Sequence, residues 1–211
     1  RFSYQNFLNE EAINQAVYQD YSADLFLQST LRDAYAIGGG IQLEDIDINP
    51  DFEREGFEEF NSGFINYYGY LDFDSYDDAN FPRRGFQLFA RYRIIAEREG
   101  LASFFEPSSV LDFKYSQSIS FSERWTAQTH LFGATTIGPN LAVPYQIHLG
   151  SMGERYLNYI QPFIGYRFME LAGRNAVVAR ADLNYEFLKQ HYLQVKVNVG
   201  RIESTFDDLI A

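Results

Sequence analysis

The feature that most constrains this chain is a two-residue alternation of apolar and polar side chains. Between residues 177 and 187, apolar side chains at odd positions alternate with Arg180, Asp182, Asn184 and Glu186. A period of two is the geometry of a β-strand with two different faces. Similar runs cover 21–32, 35–44, 63–73, 86–94, 111–119, 125–131 and 193–199. The pattern predicts about eight antiparallel strands of roughly ten residues, the length of a tilted membrane-spanning strand.

Alternation alone leaves open which face of the sheet points inward. A soluble lipocalin-type barrel would place its apolar face inside, whereas a membrane barrel places it against lipid. The apolar faces mix small and large residues, such as Gly69, Ala90 and Ala179, as lipid contact tolerates. The polar faces suit a wet, charge-paired lumen, and their charged members are Arg91, Arg93, Asp112, Lys114, Arg180, Asp182, Glu186 and Lys196. We therefore predict an all-β fold, an antiparallel transmembrane β-barrel whose strands close into a ring because lipid satisfies no backbone polar group.

The connections between the predicted strands are of two alternating kinds. Short ones lie around Asp33, at 75–84, at 122–123 and at 189–190, and long ones cover 45–62, 97–109 and 136–175. Short turns on one rim and long loops on the other are typical of outer-membrane barrels, as are aromatic side chains beside the turns. The expected location is the bacterial outer membrane, with the lipid bilayer as the first partner.

Composition excludes several classes of function. The 17 basic residues face 29 acidic ones, for a net charge of -12, which argues against a nucleic-acid partner. The chain has no Cys, no G-x-S-x-G and no P-loop, since Gly38–Gly40 lies within a strand and marks a bend or the close approach of a loop. Two acidic runs, 44–51 and 72–78, lack EF-hand spacing, and the three His lack metal-ligand spacing. We predict no catalytic residue, no cofactor and no metal.

The stretch from Tyr70 to Gly85 resembles the bacterial surface antigen family of outer-membrane barrels. This family includes the BamA and TamA assembly factors and the barrels attached to patatin-type phospholipases. Its signature is an Asp-rich strand end followed by an aromatic-Pro-x-x-Gly turn, matched here by Asp77, Asn80, Phe81, Pro82 and Gly85. Pro82 would end strand pairing and Gly85 would relax the re-entry into the next strand.

Two further stretches resemble the same family. Residues 144–150 and 163–166 are similar to the approach to a loop that folds back into the lumen, whose tip reads Val/Ile-Arg-Gly-Phe/Tyr. Gly165 and Tyr166 match, but Ile164 stands where the arginine belongs, and Arg167 is a candidate substitute from a shifted position. Residues 179–187 resemble the strand that follows this loop. The resemblance covers roughly residues 63–200 and holds in order and spacing.

The resemblance implies a larger barrel than the strands counted here. The chain starts at Arg1 without a signal peptide and ends at 207–211 in what should be a loop, so residues 1–211 are interpreted as a single outer-membrane β-barrel domain or part of one. Residues 136–175 would form the long inward-folding loop. The implied function is protein translocation or assembly, with a polypeptide substrate or periplasmic modules as partners. One alternative is a membrane anchor for a patatin-type phospholipase domain encoded upstream, as in barrels of Bacteroidetes-type bacteria. A further alternative is a passive channel or adhesin.

Overall fold

A computed structural model describes residues 2–8, 11–32, 34–50, 60–99, 107–138, 145–150, 160–166 and 170–210. The main strands are β1 (Phe2–Leu8), β2 (Glu11–Leu31), β3 (Tyr35–Pro50), β4 (Phe60–Asp74), β5 (Arg84–Glu99), β6 (Ser108–Ser120), β7 (Trp125–Ile137), β11 (Asn175–Leu188) and β12 (His191–Glu203). Three short strands, β8 (Ile147–Leu149), β9 (Ile160–Gln161) and β10 (Leu171–Gly173), lie between β7 and β11. A short helix, α1 (Phe206–Ile210), follows β12.

The main strands form one antiparallel sheet in the order β1-β2-β3-β4-β5-β6-β7-β11-β12. The eight strands predicted from the alternation are all present, and the all-β membrane-barrel fold class is confirmed. The structure adds β1, whose residues lack a clean alternation. Strands β2 to β7, β11 and β12 have 13 to 21 residues, longer than predicted. A bilayer requires only about ten residues of a strand, so these strands extend beyond it.

Alternating strand residues point to two chemically distinct faces. The outward face exposes large apolar side chains, with Leu27 at 85% and Val197 at 62% exposure. The inward face buries charged groups such as Arg93, Asp112 and Asp182. An apolar surface facing out is stable only against lipid. Among the described residues, no helix has the length and hydropathy needed to cross a bilayer.

The rim carrying the β2–β3, β4–β5, β6–β7 and β11–β12 connections, here called the short-turn rim, bears two rows of aromatic rings. Tyr35, Phe73, Phe86 and Tyr115 follow one another with centroid separations of 4.4, 4.6 and 6.0 Å. Trp125 lies between Phe121 and Tyr185, at 6.4 and 4.5 Å. Rings at one height match an interfacial girdle. The connection between β1 and β2, at the opposite rim, spans only residues 9 and 10 and departs from the predicted alternation of short and long connections.

The described parts of the connection between β7 and β11 pack on the inward face. Strand β8 pairs with β9 and β10 in a separate three-stranded sheet. Its side chains Ile147 and Leu149, together with Phe163, form a buried cluster with wall residues Phe132, Ala134, Ala176 and Val178. This cluster explains why the inward faces of β7 and β11 are apolar near the long-loop rim and polar elsewhere.

Two tyrosines of β4 cross the inward face of β3 above its glycines. A Cβ at Gly38 would collide with the ring of Tyr70, and one at Gly40 would collide with the hydroxyl of Tyr68. Tyr68 donates to both carboxylate oxygens of Asp24 on β2, at 2.8 and 2.7 Å, and Tyr70 donates to Gln28. The glycine run is thus a place of close approach. The approaching groups are the Tyr70 ring at Gly38 and, at Gly40, the Leu25 carbonyl and Phe26 Cβ of β2 together with the Tyr68 hydroxyl, and not a loop.

Candidate functional site

One end of the described loop is fixed to the wall by Tyr145. Its hydroxyl donates to Glu44 Oε2 on β3 at 2.6 Å, and the same oxygen accepts from Asn66 Nδ2 on β4 at 2.7 Å. The Tyr145 ring meets that of Phe64 edge to face, with centroids 5.0 Å apart. All four side chains are almost fully buried. The carboxylate is therefore satisfied by two donors in a dry environment, which makes this contact costly to break.

The loop tip is fixed at the other side of the sheet, against β12. The Ile164 N–H donates to Asn198 Oδ1 at 3.2 Å, and Asn198 Nδ2 donates to the Ile164 carbonyl at 3.4 Å. Gly165 follows with a φ of 100°, and no atom lies within 4 Å of a Cβ built there. Tyr166 is 41% exposed, and its ring centroid is 5.4 Å from that of Phe163. Arg167 lies outside the described residues.

The resemblance implies an arginine at the position of Ile164. In this chain, the backbone of Ile164 instead forms two hydrogen bonds between neutral groups with the Asn198 side chain. The sequence alone does not single out Asn198, because it is one polar residue among several on the inward face of β12. Burial lowers the pKa of His148 on β8 to about 4, so this imidazole is neutral at physiological pH. Tyr145, Phe163 and Ile164 thus contact the wall through uncharged groups.

The eight charged residues predicted to face the lumen all lie on the inward face. Arg91 Nε pairs with Asp112 Oδ1 at 3.0 Å. Asp182 is the centre of a second cluster, with Arg180 Nε at 3.0 Å, His130 Nε2 at 3.5 Å and Lys196 Nζ at 3.8 Å. Arg93 is buried, Lys114 lies near Phe89, and Glu186 approaches Arg83 at 3.8 Å. Arg91, Arg180 and Lys196 therefore each have a carboxylate partner within the wall.

The predicted turn motif forms a compact hydrogen-bonded turn. Asp77 Oδ1 accepts from the N–H groups of Arg83 and Arg84, at 2.8 and 3.1 Å. Asp78 Oδ1 accepts from those of Asn80 and Phe81, at 2.8 and 2.9 Å. Slight burial acts to raise the pKa of Asp77, but the Arg84 and Arg83 donors outweigh it and hold this pKa below its usual value. The pKa of Asp78 is lowered by the Phe81 and Asn80 donors.

The same turn lies across the inward face at the short-turn rim. The Pro82 carbonyl accepts from Ser118 Oγ on β6 at 2.5 Å and from Gln128 Nε2 on β7 at 3.2 Å. The Phe81 ring stacks on Tyr192 of β12, with centroids 4.1 Å apart and planes 11° apart. Gly85 has a φ of +103°, and a Cβ there would collide with the Ser75 carbonyl. The motif therefore connects β5 to the far side of the sheet, a role its local sequence does not reveal.

Arg83 extends these contacts to the neighbouring turn. Its Nη2 donates to the carbonyls of Ser122 and Glu123, at 2.9 and 2.6 Å, and its Nε donates to Ser120 Oγ at 3.3 Å. One guanidinium thereby satisfies acceptors of the β6–β7 turn while its Nη1 approaches Glu186 on β11. Among the described residues, no group of three or more His, Asp and Glu is arranged to hold a metal ion.

An antiparallel sheet with an apolar outer face, a charged inner face and a connection packed on that inner face defines a membrane-spanning β-barrel protein. A family model described as the OMP85 superfamily matches residues 2–209. The chain therefore belongs to the OMP85 superfamily, whose members are barrels of the outer membrane, and the resemblance to BamA-type barrels is confirmed at that level. No curated protein matches the chain significantly. The link to patatin-type phospholipases stays a prediction.

Proposed function

We propose that this chain is the barrel portion of a protein translocation or assembly pore, with the connection between β7 and β11 as its movable inner element. The observation that carries the proposal is the position of that connection. It contacts β3 and β4 through Tyr145 and β12 through Ile164. Strands β5, β6, β7 and β11 lie between these two contacts in the sheet order.

A loop fastened at both sides of the inward face obstructs the lumen. Free diffusion of solutes is then slow, and passage requires the loop to leave at least one attachment. The Ile164–Asn198 contact is the weaker candidate, because it joins neutral groups and contributes about 1 kcal/mol for each hydrogen bond. The Tyr145–Glu44 contact involves a buried carboxylate and is stronger. We infer that the tip is released first.

Tethering the tip tests this proposal in cells that depend on the full-length protein. The 211 residues contain no Cys, so Ile164→Cys with Asn198→Cys introduces one defined pair that a short thiol cross-linker can join. Cross-linking should stop the delivery of polypeptides to the outer membrane or the cell surface, and a reducible linker should restore it after reduction. Each single cysteine variant with the same reagent is the control.

Other outcomes would favour the alternatives. If delivery continues with the tip tethered, the loop is not the movable element and a translocation role through this lumen is wrong. If loss of the full-length protein leaves other outer-membrane proteins unchanged but removes a surface lipid-hydrolase activity, the barrel is an anchor for a patatin-type domain. Steady conductance for small ions that persists with the tether in place would indicate a passive channel.

A further inference from the structure

Charged side chains on the inward face are divided by sign between two parts of the sheet. Among the described inward positions, β2, β3 and β4 carry no Lys or Arg, and their acids are Asp20, Asp24, Glu44, Asp72 and Asp74. From β5 to β12, five cations accompany three carboxylates, namely Arg91, Arg93, Lys114, Arg180 and Lys196 with Asp112, Asp182 and Glu186. The boundary between the acidic and the basic sector falls between β4 and β5.

Three aromatic rings lie along this boundary, and we call them the aromatic seam: Tyr68, Tyr70 and Phe89. The Tyr68 and Tyr70 centroids are 6.2 Å apart with planes at 24°, and the Tyr70 and Phe89 centroids are 6.3 Å apart with planes at 26°. The rings are thus nearly parallel and evenly spaced. A spacing of about 6–7 Å is also that of alternate residues along an extended chain.

The flanks of the seam differ in charge, although the cross-strand neighbours are Arg93 for Tyr68 and Asp72 for Phe89. The Tyr68 hydroxyl donates to the Asp24 carboxylate in the acidic sector. Phe89 has two cations over its ring, Lys114 Nζ at 5.4 Å and Arg91 Cζ at 5.8 Å. Next to the seam, Phe26 on β2 is 54% exposed although it faces inward. A chain lying along the seam would have the acidic sector on one side and the basic sector on the other.

We propose that the aromatic seam and the two sectors beside it form a binding track for an extended polypeptide segment that carries both acidic and basic side chains around an aromatic residue. This inference rests on the proposed translocation function and names the substrate chemistry of the same lumen. Rings of the segment would stack on the seam, while its basic and acidic side chains would face the sectors of opposite charge. A polyanion is repelled by the acidic sector and a polycation by the basic one.

The test measures equilibrium binding to the full-length protein in detergent micelles, by fluorescence anisotropy of labelled peptides. Three peptides of equal length carry Tyr every fourth residue, with the remaining charged positions mixed, all Asp or all Lys. We expect the mixed peptide to bind at least about tenfold more tightly than either single-sign peptide at low salt, and the preference to shrink as salt rises. This measurement does not require an open lumen.

Two substitutions on the inward face test where the peptide binds. Each has a control substitution, one on the outward face and one in a distant turn. Phe89→Leu should weaken the mixed peptide by about threefold to tenfold, because it removes the stacking surface and its bound cations, whereas Phe113→Leu on the outward face should not. Lys114→Glu should lower affinity for the mixed peptide and raise it for the all-Lys peptide, and Lys189→Glu in the β11–β12 turn should do neither. Heat-modifiable migration on gels confirms that each variant is folded.

The proposal is overturned if a single-sign peptide binds as well as the mixed one, or if Phe89→Leu and Phe113→Leu behave alike. The cellular tethering experiment decides the translocation role separately. If the mixed peptide binds selectively but the protein delivers no polypeptide, the binding track is supported and the proposed function is refuted. If the protein delivers polypeptides but shows no selective peptide binding, the proposed function is supported and the binding track is refuted.

Discussion

The ring of Tyr70 on β4 lies directly over Gly38 on β3, and its hydroxyl reaches past this glycine to Gln28 on β2. One side chain thereby connects three neighbouring strands across the inward face. This contact requires that the middle strand have no Cβ at that position.

Gly38→Ala should destabilise the protein, because the new methyl group displaces the Tyr70 ring and breaks its bond to Gln28. We expect a loss of about 1–2 kcal/mol, measured by denaturant unfolding in detergent. Gly69→Ala is the matched control, since the nearest atom to a Cβ there is the Gly38 carbonyl oxygen at 3.8 Å. In the Gly38→Ala background, Tyr70→Phe should cost almost nothing more. Equal effects at Gly38 and Gly69 would contradict this account.

Asn198→Leu should release the loop tip, since it removes both the acceptor for the Ile164 N–H and the donor to the Ile164 carbonyl. The expected result is faster modification of a cysteine placed at Tyr166, followed by thiol labelling over time. Gln194→Leu on the same face of β12 serves as the control, because Gln194 is exposed and does not hold the loop tip. Unchanged labelling in Asn198→Leu would show that the tip is held by other contacts.

The orientation of the faces predicts different tolerance for Arg. Val197→Arg places a cation on the lipid-facing surface, where the cost is about 2–4 kcal/mol near the bilayer midplane. Gln194→Arg places the same side chain on the wet inward face and should cost little. Insertion into vesicles, followed by heat-modifiable migration, measures the difference. Similar yields for the two variants would argue against an outward apolar face.

The β4–β5 turn should lose stability in acid. The folded-state pKa values of Asp77 and Asp78 lie below their usual values, so their contribution is present above the unfolded pKa of about 3.9. It is lost as the pH falls through the lower folded-state values. Thermal unfolding in detergent from pH 6 to pH 2 should show a decline that is smaller in Asp77→Asn with Asp78→Asn. The same decline in the double variant would mean that other carboxylates cause it.

Alternation predicted the faces of eight strands because side-chain direction in a strand depends only on position along it. It also placed the charged wall residues on the inward face. The alternation could not predict which residues hold the loop and the turn in place. Asn198, Ser118, Gln128 and Tyr192 look like ordinary polar-face residues, and their roles depend on which strands the register brings near Ile164, Pro82 and Phe81. Such pairings are long-range and leave no local pattern.

The glycine run shows the same limit. The sequence predicted a bend or the close approach of a loop at Gly38–Gly40. The close approach is present, but the approaching groups belong to the neighbouring strands β2 and β4 and not to a loop. The sequence shows Ile164 at the position where the resemblance implies an arginine. It does not show the contact of Ile164 with Asn198 on β12, because that contact depends on how the loop is placed against the sheet.

Arg83 fastens the β4–β5 turn to the carbonyls of the next turn and approaches Glu186 on β11, while Phe81 stacks on Tyr192 of β12. The ends of strands β4 to β12 at the short-turn rim are therefore held together by these contacts, which lie at one end of the strands only. A barrel of this kind cannot widen evenly along its length. Under the proposed translocation function, we expect a passage through this barrel to be wider at the opposite rim and to narrow toward the short-turn rim.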